Sequence, residues 1–528
     1  MKGFDEMAKK KVGFASGVGF ILAAAGSAIG LGNLWGFPYK AASNGGAAFV
    51  FVYIACVLLI GSVTMLTEIH LGKRAHANTV SSYKMGSKNL GFFGLLALVI
   101  PFLITCYYSV LGGYTVKYTL NSFSGNSGIL STFAVNKGEV ILYTAIFIAL
   151  AIVVIMGGVK EGIEKVSKVL MPALFAILIF IVVYSLTLGE GVKAGLEFYL
   201  KPDFSKLNFY AVLAAMGQAF FSLSIGMGAM VAYGSYTGKE VNIVKSTGLI
   251  CLFDTLIALL AGLAIFPAVA HFNPDLLKDS KSIGLIFAIL PDVFDSLGTI
   301  GSVVSLLFFA MVTIAALTSV ISLIEVVTQF IIQKFKLPRK KSALTVAVLA
   351  LAISVPISIS LGSVAILGKD GLTVFGFDLF TFLDEATNTV LMPVCALFGC
   401  IIVGWIIKPK NAIREMEEHG SKEKINPVIA ALYSVMVKYI TPALIAIVAI
   451  FGIIKIDLQK KHLSDIKHLS DIKITVNNWQ IVVCAYSLLA ICAIVYFVFF
   501  RNTDTGSNDD EIIVDQIESR SRYNKIEE

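Results

Sequence analysis

The chain has 528 residues, of which 57% are hydrophobic and only 15% charged, and its mean hydropathy is +0.83. A soluble globular domain carries about 25% charged residues, so this composition excludes one and points to a membrane protein. The net charge of +7 reflects how basic residues are shared among loops, and no nucleic-acid partner is expected from it.

Apolar runs of roughly 20 residues, each long enough to cross a bilayer as a helix, recur from end to end. About twelve are predicted, starting near Val12, Ala47, Gly91, Val140, Val166, Phe209, Val241, Leu297, Ser342, Phe375, Val428 and Val476. The opening lysines, apolar run and Ala23-Ala24-Ala25 could pass for a signal peptide, but the run continues beyond Ala25 and reads as the first span. Between spans seven and eight, Pro267 to Leu297 has short apolar pieces and several acids, as in an outer loop with interfacial helices. Lys and Arg gather in alternate loops: Lys9 to Lys11, Lys73-Arg74, Lys84 and Lys88, Lys160 to Lys168, Lys334 to Lys341, and Lys408 to Lys424. Those loops are expected on the cytoplasmic side, and an even number of spans puts both termini there. The loop from Lys455 to Lys473 breaks the rule and carries a tandem duplication, KHLSDIKHLSDIK, with no evident function. The tail beyond Arg501 is polar and acidic and is expected to be disordered.

The first run contains SAIGLGN (Ser27 to Asn33), in which Gly30 and Gly32 each cost a helix about 1 kcal/mol against alanine. The sixth run repeats the pattern as SLSIGMGA, with Ile225-Gly226-Met227-Gly228 echoing Ile29-Gly30-Leu31-Gly32. GLGNLWG does not fit a dinucleotide fingerprint and follows no strand. Packing of small residues between helices explains one such run but not its echo. Breaks in spans one and six fall at equivalent places if spans one to five and six to ten are structural repeats, an arrangement that puts binding sites at the membrane midplane. Freed backbone groups persist in a membrane only where they line a cavity. Freed carbonyls suit sodium and an ammonium, and the amino end of a half-helix suits a carboxylate.

Polar residues gather near the breaks: Asn33, then Gln218, Ser222 and Ser224, with Thr318 and Ser319 in span eight. Ser and Thr often bond their own helix. Asp254, inside span seven, asks for a partner or a function. The seven cysteines lie in apolar runs without metal-ligand spacing, and the six histidines are scattered. No nucleophile–base pair or metal cluster is evident, so the chain is not expected to be an enzyme.

The motifs AAAGSAIGLGNLWGFPY, NGGAAF, IPFLITCYYSVLGGYT, YLKPDFSKL, GQAFFSLSIGMGAMVAYGSY and ALTSVIS resemble, in order, those of the neurotransmitter:sodium symporter family, in its bacterial amino-acid branch. The resemblance runs from about Val12 to Phe500 and implies an all-α polytopic fold of twelve transmembrane helices. These form a five-plus-five inverted repeat with helices one and six broken, followed by two further helices. The implied divisions are a cytoplasmic N-terminus (1–11), a first repeat (12–190), a second repeat (191–407), spans eleven and twelve (408–500) and the tail (501–528).

The resemblance also implies a function: symport of an amino acid with sodium by alternating access, in the plasma membrane. One sodium site would use Ala28, Asn33, Ser222 and Asp254; a second would use Gly26, Ile29, Ala315, Thr318 and Ser319. Oxygen ligands of this kind suit a hard cation. Tyr108 and amides near Gly30 and Gly32 would hold the substrate carboxylate, while carbonyls of Ala28, Phe221 and Ser224 would take its ammonium. Ile104, Tyr108, Phe221, Met227, Ser319 and Leu323 would surround the side chain, beside Ser222. Monoamine-transporting members carry aspartate at the position of Gly30, so Gly30 implies a substrate with its own carboxylate. Chloride-dependent members bind the anion near residues matching Tyr53, Gln218 and Ser222, and have Asn at Asp254 and Ser at Ala258; chloride-independent transport is therefore expected here. Met227, where Phe is usual, favours bulky apolar or aromatic amino acids.

Two departures concern the gates. The family's outer Arg is Gly36 here; Lys40, one turn along, is expected to reach Asp384 or Glu385. On the inner side Lys11 and Phe14 stand where the family has Arg and Trp, and Gln333 replaces the partner acid. Glu68, Tyr233, Tyr236 and Glu325 are the alternatives for an inner gate. A gated channel or an amino-acid sensor on the same scaffold is the competing reading, although a channel requires a continuous polar pore. The oligomeric state is not implied.

Overall fold

In lipid the backbone must satisfy its own hydrogen bonds, and long runs of Leu, Ile, Val, Ala and Phe do so as helices. The computed structural model describes residues 13–272, 285–362, 372–374, 377–418, 424–458, 472–476 and 479–500. Among these, nine helices are long and apolar enough to cross a membrane: Ala47–Ala75, Lys88–Asn121, Lys137–Met156, Val159–Leu186, Ile243–Phe272, Gly298–Phe335, Arg339–Ser360, Leu379–Ile407 and Pro427–Phe451. They are spans two to five and seven to eleven. The first span is a pair, Gly17–Ala28 and Gly32–Ser43, bent by 49°. The sixth is also a pair, Phe209–Ser222 and Ala229–Ser235, each half too short to cross alone. The last described helix, Trp479–Val495, has 17 residues.

Both interruptions coincide with the glycine echoes. At the first, Ile29 turns to an extended conformation and the chain resumes through a π-helical turn, Gly32–Gly36. At the sixth, Ser224, Gly226 and Gly228 take positive φ values of 53°, 78° and 71°. Gly226 also meets the backbone of Met392, leaving no room for a side chain. Spans three and eight pack along much of their length, and the half-helices Gly17–Ala28 and Ala229–Ser235 sit against span eight.

Two expectations change. Pro267 does not start the outer loop: the helix of span seven continues through it to Phe272, and the described loop helix is Leu290–Ser296. Tertiary packing holds a proline-containing turn that local propensity would break. The Lys-rich loop contains two strands, Ile454–Leu458 and Ile472–Val476, paired antiparallel. Their alternation (IKIDL, IKITV) is the period-two pattern of a strand. Most of the duplication, the tail and Lys11 lie outside the described residues.

Candidate functional site

The site lies where the two breaks face each other. Several backbone groups at the first break are met by side chains, one of them local and the others from spans three and six. The Gly30 amide donates to Asn33 Oδ1 at 3.1 Å, and the Leu31 amide donates to the Tyr108 hydroxyl at 2.9 Å. The Gly32 carbonyl accepts from Gln218 Nε2 at 2.7 Å, and the Ser27 carbonyl accepts from Ser224 Oγ at 2.8 Å. At the sixth break the Gly226 amide donates to Glu68 Oε1 at 2.7 Å. Such compensation is required where water and lipid cannot supply partners.

The residues expected at the first sodium site come together around Asp254, which is fully buried. Asn33 Nδ2 donates to Asp254 Oδ1 at 2.7 Å and lies 3.0 Å from Ser222 Oγ. Ser222 Oγ donates to Asp254 Oδ2 at 2.7 Å, and the Tyr53 hydroxyl stands 3.4 Å from the same oxygen. Four spans (one, two, six and seven), one carboxylate and three polar side chains thus form one cluster, tied to the first break through the Asn33–Gly30 hydrogen bond. The residues expected at the second site converge as well: Ser319 Oγ lies 3.4, 3.0 and 3.3 Å from the carbonyl oxygens of Gly26, Ser27 and Ile29. Thr318 Oγ1 donates within its own helix, 3.0 Å from the Ala315 carbonyl.

Between these clusters is a cavity lined by Ser27, Ala28, Gly30, Gly32, Ile104, Tyr108, Phe221, Ser224, Met227, Ser319 and Leu323. All but Ser27 were expected around the substrate; Ser222, expected there too, instead turns to Asp254 because a hydroxyl beside a buried carboxylate finds its best acceptor there. Gly30 forms part of the wall, and a Cβ there would collide with Ser319 Oγ and lie 2.7 Å from the Tyr108 hydroxyl.

At the end of the bundle expected to face outward, Asp384 accepts from Asn388 Nδ2 at 2.8 Å and Glu385 accepts from Thr389 Oγ1 at 3.0 Å. Lys40 is near enough to feel both charges, yet among the described residues no ion pair joins it to either acid. At the end expected to face inward, the fully buried Glu325 accepts from the Tyr236 hydroxyl at 2.7 Å and pairs with Arg339. Arg339 Nε also donates to the Ile155 carbonyl at 2.7 Å, so the group ties together spans four, six, eight and nine. Phe14 packs edge-on against Tyr233 and Tyr236, and Gln333 accepts from Asn78. Glu68 belongs to the sixth break and not to this group. Sequence reasoning missed Arg339, which it counted only as a topogenic charge, and it missed Ser27.

A family model described as the sodium:neurotransmitter symporter family matches residues 12–129 and 127–502. The chain is similar to an uncharacterized sodium-dependent transporter, YhdH, of Bacillus subtilis, with 35% identity across 83% of this chain and 97% of the relative. It is 24% identical to the sodium-dependent nutrient amino acid transporter 1 of Drosophila melanogaster, across 85% of this chain and 78% of that protein. Among solved structures it is similar to MhsT, whose crystal structure is in complex with L-phenylalanine: TM-score 0.75, 36% identity, covering 83% of this chain and 99% of that one.

Proposed function

This chain belongs to the sodium:neurotransmitter symporter family, and from that membership we propose that it moves an amino acid across the membrane together with sodium, by alternating access. The observation that carries the reading is the midplane cavity, bounded on one side by the Asp254–Asn33–Ser222 cluster and on the other by the carbonyls around Ser319. A carboxylate and preformed carbonyl oxygens favour hard cations, while the Tyr108 hydroxyl and the amides at Gly30 and Leu31 favour the substrate carboxylate. Sodium bound beside that carboxylate would link the two affinities, which is the requirement for coupled transport.

The substrate is a hydrophobic or aromatic amino acid. In support, Ile104, Phe221, Met227 and Leu323 line the cavity, and a relative of 36% identity was crystallised with phenylalanine. Transport does not need chloride, because Asp254 already brings a fixed negative charge next to Tyr53 and Ser222, and the buried Ala258 offers no hydroxyl. Lys40, Asp384 and Glu385 serve the outer gate. Glu325, Arg339 and Tyr236 serve the inner one, in place of the family's Arg and Asp.

Proteoliposomes holding the purified protein test this. Radiolabelled phenylalanine or leucine should accumulate under an inward sodium gradient, persist when gluconate replaces chloride, and be displaced by apolar amino acids in excess. Binding without accumulation would make the chain a sensor, and preference for Gly, Glu or Lys would refute the substrate class.

A further inference from the structure

One buried acid plays no part in the site. Glu164, at the start of span five, is 1% exposed. Its carboxylate accepts from the Ala15 amide at 2.6 Å, from Ser16 Oγ at 2.9 Å and from Lys168 Nζ at 2.6 Å. Ala15 and Ser16 lie at the start of the first half-helix, Gly17–Ala28, and Ser16 is its N-cap, accepting from the Gly19 amide. An anion at a helix N-terminus meets both the free amides and the positive end of the dipole. Gly19 makes the approach possible, since a Cβ there would strike the Glu164 carboxyl. The grip on the first span is one backbone amide and one hydroxyl, and it is supplied by a different span.

The same two spans touch again at the other end of the half-helix. Met171 stands two turns beyond Glu164, and a Cβ at Gly26 would lie 3.0 Å from its sulfur and 3.3 Å from Thr318 Cβ. Gly26, Ser27 and Ile29 are the residues whose carbonyls surround Ser319. A rigid helix of 12 residues therefore joins the Glu164 contact to the ion-binding backbone. Span five is also weakened next to the acid: Val159–Glu164 is a π-helical turn, and Gly158 before it has φ +85°. Such π-helical turns inside an α-helix occur frequently at functional sites.

We propose that Glu164 is a positioning residue of the transport cycle: it clamps the cytoplasmic end of the first span, and its release lets that half-helix swing and empties the ion site inward. Glu325 and Arg339 hold the inner half of span six; Glu164 does the equivalent for span one. The proposal rests on the reading of sodium-coupled alternating access given above.

The test uses the full chain with Glu164→Gln and, separately, Ser16→Ala, which removes one donor and the Gly19 cap while leaving the buried acid in place, with Ser16→Asp, which keeps the cap but cannot donate to the acid, as its companion. The sodium concentration for half-maximal binding of labelled phenylalanine is measured in detergent. In parallel, each variant also carries Ala232→Cys, on the inner half of span six, and is labelled with a membrane-impermeant maleimide from the inner side, with the parent chain as background. Loss of a charge-assisted hydrogen bond shifts the balance toward inward-open forms, which hold sodium less well. Half-saturation should rise about tenfold in Glu164→Gln and less in Ser16→Ala, with labelling faster in the same order. A clamp of purely structural value would lower thermal stability but leave the sodium dependence alone. Both quantities within about twofold of the parent in Ser16→Ala and in Glu164→Gln would overturn the proposal, and if Glu164→Gln does not fold, Ser16→Ala decides. Absence of sodium-dependent binding in the parent would instead overturn the functional reading, while the labelling comparison still judges the clamp.

Discussion

Gly30→Ala is the sharpest perturbation of the proposed site. The added Cβ would lie 2.7 Å from the Tyr108 hydroxyl oxygen and 3.3 Å from Ser319 Cβ, and would overlap Ser319 Oγ. Neither neighbour can yield freely. Tyr108 is held by the Leu31 amide, and Ser319 Oγ by the carbonyls of Ser27, Gly26 and Ile29. Overpacking of this kind costs about 1–3 kcal/mol, and displacing the Ser319 hydroxyl from its carbonyls about 1 kcal/mol more. Strain present with and without substrate lowers stability only. The methyl group, however, also occupies the space assigned to the substrate carboxylate, so a large share falls on binding. With about 1.4 kcal/mol per tenfold, an affinity loss of at least roughly 30-fold is expected. Sodium-dependent equilibrium binding of labelled phenylalanine measures it, with Gly217→Ala as control, since a Cβ there meets nothing within 4 Å. Binding within about threefold of the parent, with the control equally unaffected, would refute the placement of the carboxylate at Gly30.

Three further changes probe the charges. Asp254→Asn should weaken sodium binding by about a hundredfold or more, as expected for a charge lost next to a cation at an effective dielectric of about 20; adding Ala258→Ser should restore uptake only when chloride is present, and chloride-insensitive rescue would contradict the fixed-anion role. Arg339→Ala should strand Glu325 and lower stability by roughly 3–5 kcal/mol, with Glu325→Gln/Arg339→Gln recovering part of it; melting curves of the three proteins decide, and additive losses would show that the pair does not act as a unit. Lys40→Ala should slow uptake several-fold by impairing outer closure, with equilibrium sodium affinity little changed; unchanged uptake would leave Lys40 as an interfacial anchor.

The broken helices were legible because glycine pairs in the middle of apolar runs leave few alternatives, and because the pattern occurs twice; the cavity wall was legible only through the family resemblance of motifs such as IPFLITCYYSVLGGYT and ALTSVIS. Asp254 stood out for a similar reason: a lone carboxylate in span seven has no local explanation. The inner contacts were legible only in part: Tyr236 and Glu325 stood among the gate alternatives, but Arg339 and Glu164 fall within basic clusters of the sequence, where counting charges assigns them to topology and erases them as individuals. Their partners are set by tertiary structure: Glu164 meets Ala15 across 149 residues and Glu68 meets Gly226 across 158. Glu68 shows the cost most clearly. Its sequence position near the inner end of span two fits a gate, yet its carboxylate serves a backbone amide that exists as a free donor only because the sixth helix is broken. The need for it was visible in the sequence; the supplier was not.

That dependence bears on how the two proposed sodium sites should differ. Around Asp254 the charge is a side chain's, and Asn33, Ser222 and Tyr53 all point their polar atoms at it. Around Ser319 the acceptors are backbone carbonyls, and one hydroxyl faces three of them at 3.0–3.4 Å. A hydroxyl has a single proton, so it satisfies one carbonyl well and shares poorly with the rest. A cation satisfies all of them at once, which is why the proposed second ion fits there without any carboxylate. Its affinity then depends on geometry more than on charge, because the carbonyls converge only while the half-helix Gly17–Ala28 keeps its tilt. The Asp254 site should therefore tolerate movement of the first span better than the Ser319 site, and the second should empty first when the inner contacts let go.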